Sequence, residues 1–384
     1  MRINYTMDYL DGFGGIRTTN IISNKLAERG HEVTVTLLKP QPLLFDWRSR
    51  IIFAEDRNRT ARRRLSNFIN RRLKSLPSAW ANSTIDSLTQ AIPDCDINVA
   101  HNWISAYPVF RSGKGLPFHH LQHFEEVFFS GRPERHLFDE GMYLPLQRTV
   151  NSIWCHNQVI QRYGYALPII NPGIDHFTFY PRQVERDPGR KRIICLGKEI
   201  VWKGFKDAVE SVKLVMQKRG DVEFIAYGAR PLKGDYDVPF QFVQNPSNEQ
   251  LANLYASVDV LLCPSWYESF PGPPIEAMAC GTPVVTTRYG TEDYARHEEN
   301  SLVVMPRDIK AMAEAILRLL SDADLREKFR ETGPQTAKRF TWEKTVDEFE
   351  RLFQMALEGR KLSFGSAENH LTQLTPKDPV KTFR

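Results

Sequence analysis

The stretch Trp266-Tyr267-Glu268-Ser269-Phe270-Pro271-Gly272-Pro273-Pro274-Ile275-Glu276-Ala277-Met278-Ala279-Cys280-Gly281 follows an apolar run, Val258-Asp259-Val260-Leu261-Leu262-Cys263-Pro264, and the junction of the two decides the fold. A continuous apolar run of this kind predicts a strand in a parallel sheet covered on both faces. The paired prolines fit the first turn of a helix, where a missing N–H costs little, and Gly281 is a natural C-terminal stop. A helix so bounded is short. Its N-terminus is expected to aim backbone amides past the carboxyl edge of the sheet, where anions bind. Glu268 and Glu276 stand beside that anion site, with seven residues between them. Carboxylates there are unfavourable unless they take hydroxyls, and a ribose or a sugar offers hydroxyls. The local chemistry points to a sugar nucleotide.

At 384 residues the chain suits two domains better than one core. The start Met1-Arg2-Ile3-Asn4-Tyr5 leads directly into a strand-like segment, so a secretory leader is not expected, and no apolar run is long enough to span a bilayer. Cys95, Cys155, Cys195, Cys263 and Cys280 are scattered and odd in number, which predicts free thiols of a cytoplasmic protein. The net charge of +5 is small for this length, so its placement matters more than its size.

Along the chain, Asp11-Gly12-Phe13-Gly14-Gly15 precedes an amphipathic helix at 17–29, closed by Gly30-His31, and then an alternating strand at 32–38. Further strands are expected at 96–101, 118–122 and 152–155. Residues 181–190 read as a polar linker. A second strand–helix series begins at 191–197 and runs through strands at 222–227, 240–243, 258–263, 283–287 and 302–304. Helices are expected at 251–257, 310–320, 323–333 and 342–357, and a poorly ordered tail from Ala367. The expected fold is α/β: two Rossmann-like, doubly wound parallel-sheet domains facing each other across a cleft. The domain spans expected are 1–178, 188–345, a returning C-terminal helix at 346–366, and the tail at 367–384.

Lys198 and Lys203, in Gly197-Lys198-Glu199-Ile200-Val201-Trp202-Lys203-Gly204, lie in the loop after the first strand of the second domain. There, ammonium groups reach a diphosphate as point charges. The Gly12, Gly14 and Gly15 loop lacks the third glycine of a dinucleotide fingerprint, because Arg17 stands at that position. His119, His120 and His123 with Glu125 and Glu126 look like a metal cluster, but neighbouring strand side chains point to opposite faces and the His-Glu-x-x-His spacing is missing. No metal site is expected. His123 falls where a strand ends at the ligand edge of the first sheet; His101 and His156 are read as packing or hydrogen-bonding residues. Residues 47–77 carry many arginines in the basic run Arg48 to Lys74, with Leu65, Phe68, Ile69, Leu73 and Leu76 at helical spacing. This segment fits a basic amphipathic helix on an anionic membrane surface, or a helix packed on its own domain with solvated arginines. Nothing in it resembles a nucleic-acid module.

These motifs resemble the retaining glycosyltransferases of family 4, which have the GT-B fold. The resemblance rests on the Glu268-x7-Glu276 motif, Gly197-Lys198 with Lys203-Gly204, Gly30-His31-Glu32-Val33, Asn171-Pro172-Gly173-Ile174-Asp175 and Phe340-Thr341-Trp342-Glu343. It implies a nucleotide-sugar donor in the second domain and a glycan or lipid-linked acceptor at the first. Lys198, Lys203 and the backbone at Ser269, Phe270 and Gly272 would hold the diphosphate, Glu276 the ribose, and Glu268 the sugar end. His123 would stand near the anomeric carbon, Gly14 and Gly15 in a closing N-terminal loop. Transfer of a hexose would retain configuration without a metal or other cofactor, in cell-surface glycan synthesis, in the cytoplasm or at the inner face of its membrane. The resemblance leaves open a GT-B-type sugar-nucleotide epimerase and a non-catalytic relative. Three departures stand out: lysine at 198 where many relatives have arginine, Pro271 where many have glycine, and Pro172 inside the Asn-Gly-Ile-Asp element.

Overall fold

The structure is a computed structural model, and it describes residues 1–9, 14–43, 45–54, 79–124, 135–185, 187 and 189–359. These residues form two compact units. The first comprises 1–151, 155–170 and the chain from 345 onward; the second comprises 152–154 and 171–344.

The first unit holds β1 (Arg2–Met7), β2 (Glu32–Leu37), β3 (Arg50–Phe53), β4 (Ile97–Ala100), β5 (Leu116–Leu121) and β6 (Gln147–Val150), all parallel, in the order β3-β2-β1-β4-β5-β6. The second holds β7 (Lys191–Leu196), β8 (Val222–Gly228), β9 (Gln241–Gln244), β10 (Val260–Cys263), β11 (Val284–Thr287) and β12 (Leu302–Val304), also parallel, in the order β12-β11-β10-β7-β8-β9. Both orders reverse once, between β1 and β4 and between β7 and β10. In an open parallel sheet the crevice at the carboxyl side of that reversal is where ligands bind. The α/β fold with two doubly wound sheets is as the strand–helix series predicts.

Local sequence explains the central strands. All of β10 is buried, because helices cover both faces of its sheet. One face packs on Phe205, Val209, Met312, Ile316 and Phe329; the other packs on Tyr255, Ile275, Met278 and Tyr294. The helix Gly272–Ala279 starts with Pro273 and Pro274 in its first turn, and Gly281 follows its end at φ +75.

Several expectations are corrected. The strand expected at 152–155 is instead the start of the helix Ile153–Tyr163, and the strand lies earlier, at Gln147–Val150. A three-residue apolar run cannot tell a strand from a helix start, and the Asp293 carboxylate takes the Ile153 N–H at 3.1 Å, satisfying the helix terminus. Gly14 and Gly15 are the first residues of the helix Gly14–Glu28 and not part of a loop. The division between units falls at 170/171, ahead of the polar stretch at 181–190. Within the basic segment, Arg50–Phe53 forms the edge strand β3, while Arg57 to Lys74 lie outside the described residues, as do Glu125, Glu126 and the tail. Among the described residues no helix is long and apolar enough to cross a membrane.

Candidate functional site

Two loops meet at the reversal point of the second sheet. One leaves β7 as Gly197-Lys198 and passes a short 3-10 turn at Val201–Lys203; the other leaves β10 as Pro264-Ser265 and leads to the Gly272–Ala279 helix. The Trp266 N–H donates to the Trp202 carbonyl at 2.7 Å, so the loops are joined backbone to backbone. Gly204 seals the junction. Its φ is +67, and a Cβ there would lie 2.3 Å from the Pro264 carbonyl oxygen, so only glycine fits.

This junction brings Lys203 and Glu268 together. Lys203 Nζ donates to Glu268 Oε1 at 2.6 Å and Oε2 at 2.8 Å, and Ser265 Oγ donates to Oε1 at 2.8 Å. The carboxylate is buried and the ammonium nearly so, which strengthens the pair relative to a surface ion pair. Backbone fixes the glutamate from the other side, where its N–H donates to the Tyr289 carbonyl at 3.1 Å. Gly290, at φ +96, presses on the Glu268 carbonyl so closely that a Cβ would sit 2.3 Å from it. Glu268 therefore spends its carboxylate on Lys203 and Ser265, and orients the lysine.

Glu276 sits one helical turn beyond Gly272, its Oε1 3.5 Å from where a Gly272 Cβ would be. Its charge reaches the buried tyrosine pair Tyr227 and Tyr255, whose hydroxyls are 2.7 Å apart; burial is the main cause that raises both phenols well above their usual range, and Glu276 adds to it in the same direction. Phe270 is not presented to a ligand by its ring, which packs against Tyr294 and Phe340 at 5.3 and 5.6 Å. Ser269 is buried in the same turn. Tyr294 Oη donates to the Pro271 carbonyl at 2.8 Å and so fixes the helix entry.

The helix N-terminus differs from the expectation in one respect. Pro271 is the cap residue, Gly272 the first helical residue, and Pro273 and Pro274 the next two. Of the four positions whose N–H a helix leaves unpaired, three are prolines, and Gly272 supplies the only amide. The helix contributes one donor and its dipole to this edge, where the Lys203 ammonium stands paired with Glu268.

Sequence reading missed an aromatic stack in the same place. Tyr267 lies between Trp202, centroid 6.2 Å away and 12° from parallel, and Trp154, at 6.1 Å and 5°. Trp266 is held edgewise, its Nε1 donating to Asp207 Oδ2 at 2.6 Å with Arg307 over its ring at 4.9 Å. The adjacent aromatics Trp266 and Tyr267 carried a signal for this, but Trp154 is far away in sequence.

The first unit presents its own polar edge at the β1–β4 reversal. His123 follows β5 there and is partly exposed. Gly14 and Gly15 begin the helix that follows β1. His101, read as a packing or hydrogen-bonding residue, shares a network with Thr19 and Gln122 at 3.0 Å to each. His119 and His120 are buried in the sheet, where burial pushes the His120 imidazole down to about 3 and His119 well below its usual value. Among the described residues no group of histidine, cysteine and acidic side chains is arranged to hold a metal ion.

Fold and site together define a GT-B protein, built from two doubly wound sheets with a lysine–glutamate site at the reversal of the second. Residues 190–322 match the family described as glycosyl transferases group 1. Over 115 residues the chain is 40% identical to a D-inositol 3-phosphate glycosyltransferase of Corynebacterium urealyticum, a match covering 30% of this chain and 27% of that protein. It is 27% identical over 264 residues to the O-antigen biosynthesis protein RfbC of Myxococcus xanthus, covering 67% of this chain and 20% of the relative. The chain thus spans well under two thirds of these relatives' length. In fold it is similar to sucrose-phosphate synthase from Thermosynechococcus elongatus, with TM-score 0.75, 19% identity, and coverage of 93% of this chain and 99% of that one. It is also similar to HepE of Anabaena in complex with UDP and glucose, with TM-score 0.70, 15% identity, and coverage of 92% and 99%. The chain therefore has the GT-B fold, and its residues 190–322 are similar to the glycosyl transferases of group 1.

Proposed function

We propose that this chain is a retaining, metal-independent glycosyltransferase that moves a hexose-type sugar from a nucleotide-sugar donor to a glycan or lipid-linked acceptor in cell-surface glycan synthesis. The observation that carries the reading is the Lys203–Glu268 pair, 2.6 Å apart at the reversal of the second sheet, with Glu276 on the helix that begins there. The family match over 190–322 and the UDP and glucose bound to HepE support it.

In this mechanism the second unit binds the donor. Lys198 and Lys203 neutralise the diphosphate, the Gly272 N–H adds a neutral donor, and Glu276 accepts from the ribose hydroxyls. Glu268 acts through Lys203 by fixing the ammonium where charge grows on the departing phosphate. That charge is stabilised more in the transition state than in the bound donor, which is what lowers the barrier. His123 and the edge of the first unit serve the acceptor side.

The test is a screen of nucleotide sugars, starting with UDP-glucose, that follows donor loss, transfer and product anomer by NMR in the presence and absence of EDTA. Lys203→Ala and Glu276→Ala are each expected to reduce transfer about 100-fold or more while circular dichroism stays that of the wild type. Near wild-type transfer by both variants sinks the assignment. Conversion of the donor to an isomer without any acceptor would replace it with an epimerase.

A further inference from the structure

The carboxyl edge of the first sheet carries a histidine whose two ring nitrogens have different surroundings. His101 follows β4, Gln122 follows β5, and Thr19 lies in the first turns of the helix Gly14–Glu28. Gln122 Nε2 is 3.0 Å from His101 Nδ1 and 2.9 Å from Thr19 Oγ1, and Thr19 Oγ1 is itself 3.0 Å from His101 Nδ1. Thr19 Oγ1 also lies 3.2 Å from the Gly15 carbonyl, and the Gln122 backbone carbonyl accepts from Asn151 Nδ2 at 2.8 Å.

With the Gln122 amide nitrogen turned toward the ring, these bonds select one tautomer. An amide nitrogen donates and does not accept, so the bond from Gln122 Nε2 requires a lone pair on His101 Nδ1. In a neutral imidazole the proton must then be on Nε2. The ring is neutral, because burial pushes it down to about 4 and no carboxylate is bonded to it. Among the described residues none takes Nε2, and the residue keeps partial exposure at the sheet edge. An N–H donor held rigid from behind, uncharged, at the ligand edge of a doubly wound sheet, suits a hydroxyl or ether oxygen better than it suits a phosphate, which selects cations.

We propose that His101 is a binding residue of the first unit, presenting Nε2–H to a sugar oxygen of the acceptor, with Thr19 and Gln122 as positioning residues that hold it in that tautomer. This rests on the glycosyltransferase reading above. Nothing in the sequence distinguished His101 from a core histidine, since the network joins positions 19, 101 and 122.

Two measurements on the full chain test it. Long-range proton–nitrogen NMR should show His101 with a bare, pyridine-like Nδ1 and a protonated, pyrrole-like Nε2; the opposite pattern overturns the proposal. In the second, acceptors are screened with the donor that turns over, and two substitutions separate the nitrogens. Asparagine in His101→Asn keeps an oxygen near the Nδ1 position but has no outward donor, whereas His101→Gln places an amide N–H near the Nε2 position. For His101→Asn, kcat/KM for the acceptor is expected to fall about 10- to 100-fold, with donor affinity unchanged and His101→Gln recovering most of the loss. Wild-type acceptor kinetics in His101→Asn, with transfer still reduced about 100-fold or more in Lys203→Ala and Glu276→Ala, overturn this inference alone. Equal losses in both His101 variants reduce it to a packing role. A wild-type chain that transfers to no acceptor removes the underlying reading and the inference with it.

Discussion

At the scale of single residues, two electrostatic features stand out: the pairing of Lys203 with Glu268 and a set of histidines kept neutral. His120 is 2% exposed, its ring meets Phe349 edge-on at 4.9 Å, and neither of its ring nitrogens has a hydrogen-bond partner among the described residues. Burial holds its imidazole at about 3, against 6.5 for an ordinary histidine. A base whose folded pKa is depressed costs nothing above the unfolded value. As the pH falls below about 6.5 the unfolded chain takes up the proton and the folded chain does not. Stability is then lost at about 1.4 kcal/mol per pH unit until the pH nears the folded value. His120→Leu should remove that slope and, because two unpaired buried nitrogens go with it, add about 1 kcal/mol at neutral pH. Urea titrations of both proteins at pH 7.5, 6 and 5 measure this. A stability difference that does not widen as the pH falls would show that His120 is solvated or bonded in solution.

At the scale of elements, the site depends on how two loops lock, and Gly204 is the point at which locking can be tested. Its left-handed φ of +67 and the 2.3 Å approach to the Pro264 carbonyl oxygen leave no room for a methyl group. Gly204→Ala should cost the second unit roughly 2–4 kcal/mol and displace Lys203 from Glu268. Calorimetry together with nucleotide affinity checks it, and an unchanged melting temperature would mean that the junction is looser than drawn. Strands and helices were legible in this sequence wherever one signal dominated: apolar runs gave β10 and β7, and the helix Trp342–Leu357 was read to the residue. The lysine and carboxylate motifs put Lys203 and Glu268 on the loops after β7 and β10, and the structure brings those two side chains together. What stayed illegible is long-range. The Tyr267 stack needs Trp154, the His101 network needs Thr19 and Gln122, and the spending of Glu268 on Lys203 needs two loops to meet. Even the proline count at the helix start was visible but misread, because its meaning depends on which residue is the cap. With Pro271 as cap, the prolines that make the helix start well also leave it one amide.

At the scale of the whole chain, the order of assembly follows from where the last helix is spent. Residues from Thr345 onward belong to the first unit, although the chain reaches them only after completing the second. Phe353 is fully buried and meets Phe118 of β5 edge-on at 5.0 Å, while Phe349 covers His120 of the same strand. Polar contacts align the helix: Arg29 bridges to Asp347 at 2.7 Å, and His31 Nε2 to Glu350 Oε1 at 2.6 Å, just before β2. The helix Trp342–Leu357 therefore covers β5, whose apolar surface would be exposed without it. The second unit, apart from residues 152–154, is continuous over 171–344 and has its own core on both faces of its sheet. Phe353→Ala should consequently destabilise the first unit by about 3–5 kcal/mol and leave the second nearly untouched. Hydrogen exchange read by mass spectrometry separates the two, since peptides from β1, β4 and β5 should exchange faster and those from β7, β10 and β11 at the wild-type rate. Uniform acceleration across all of them would mean that the chain unfolds as one cooperative body, and that removing the last helix weakens the second unit as much as the first.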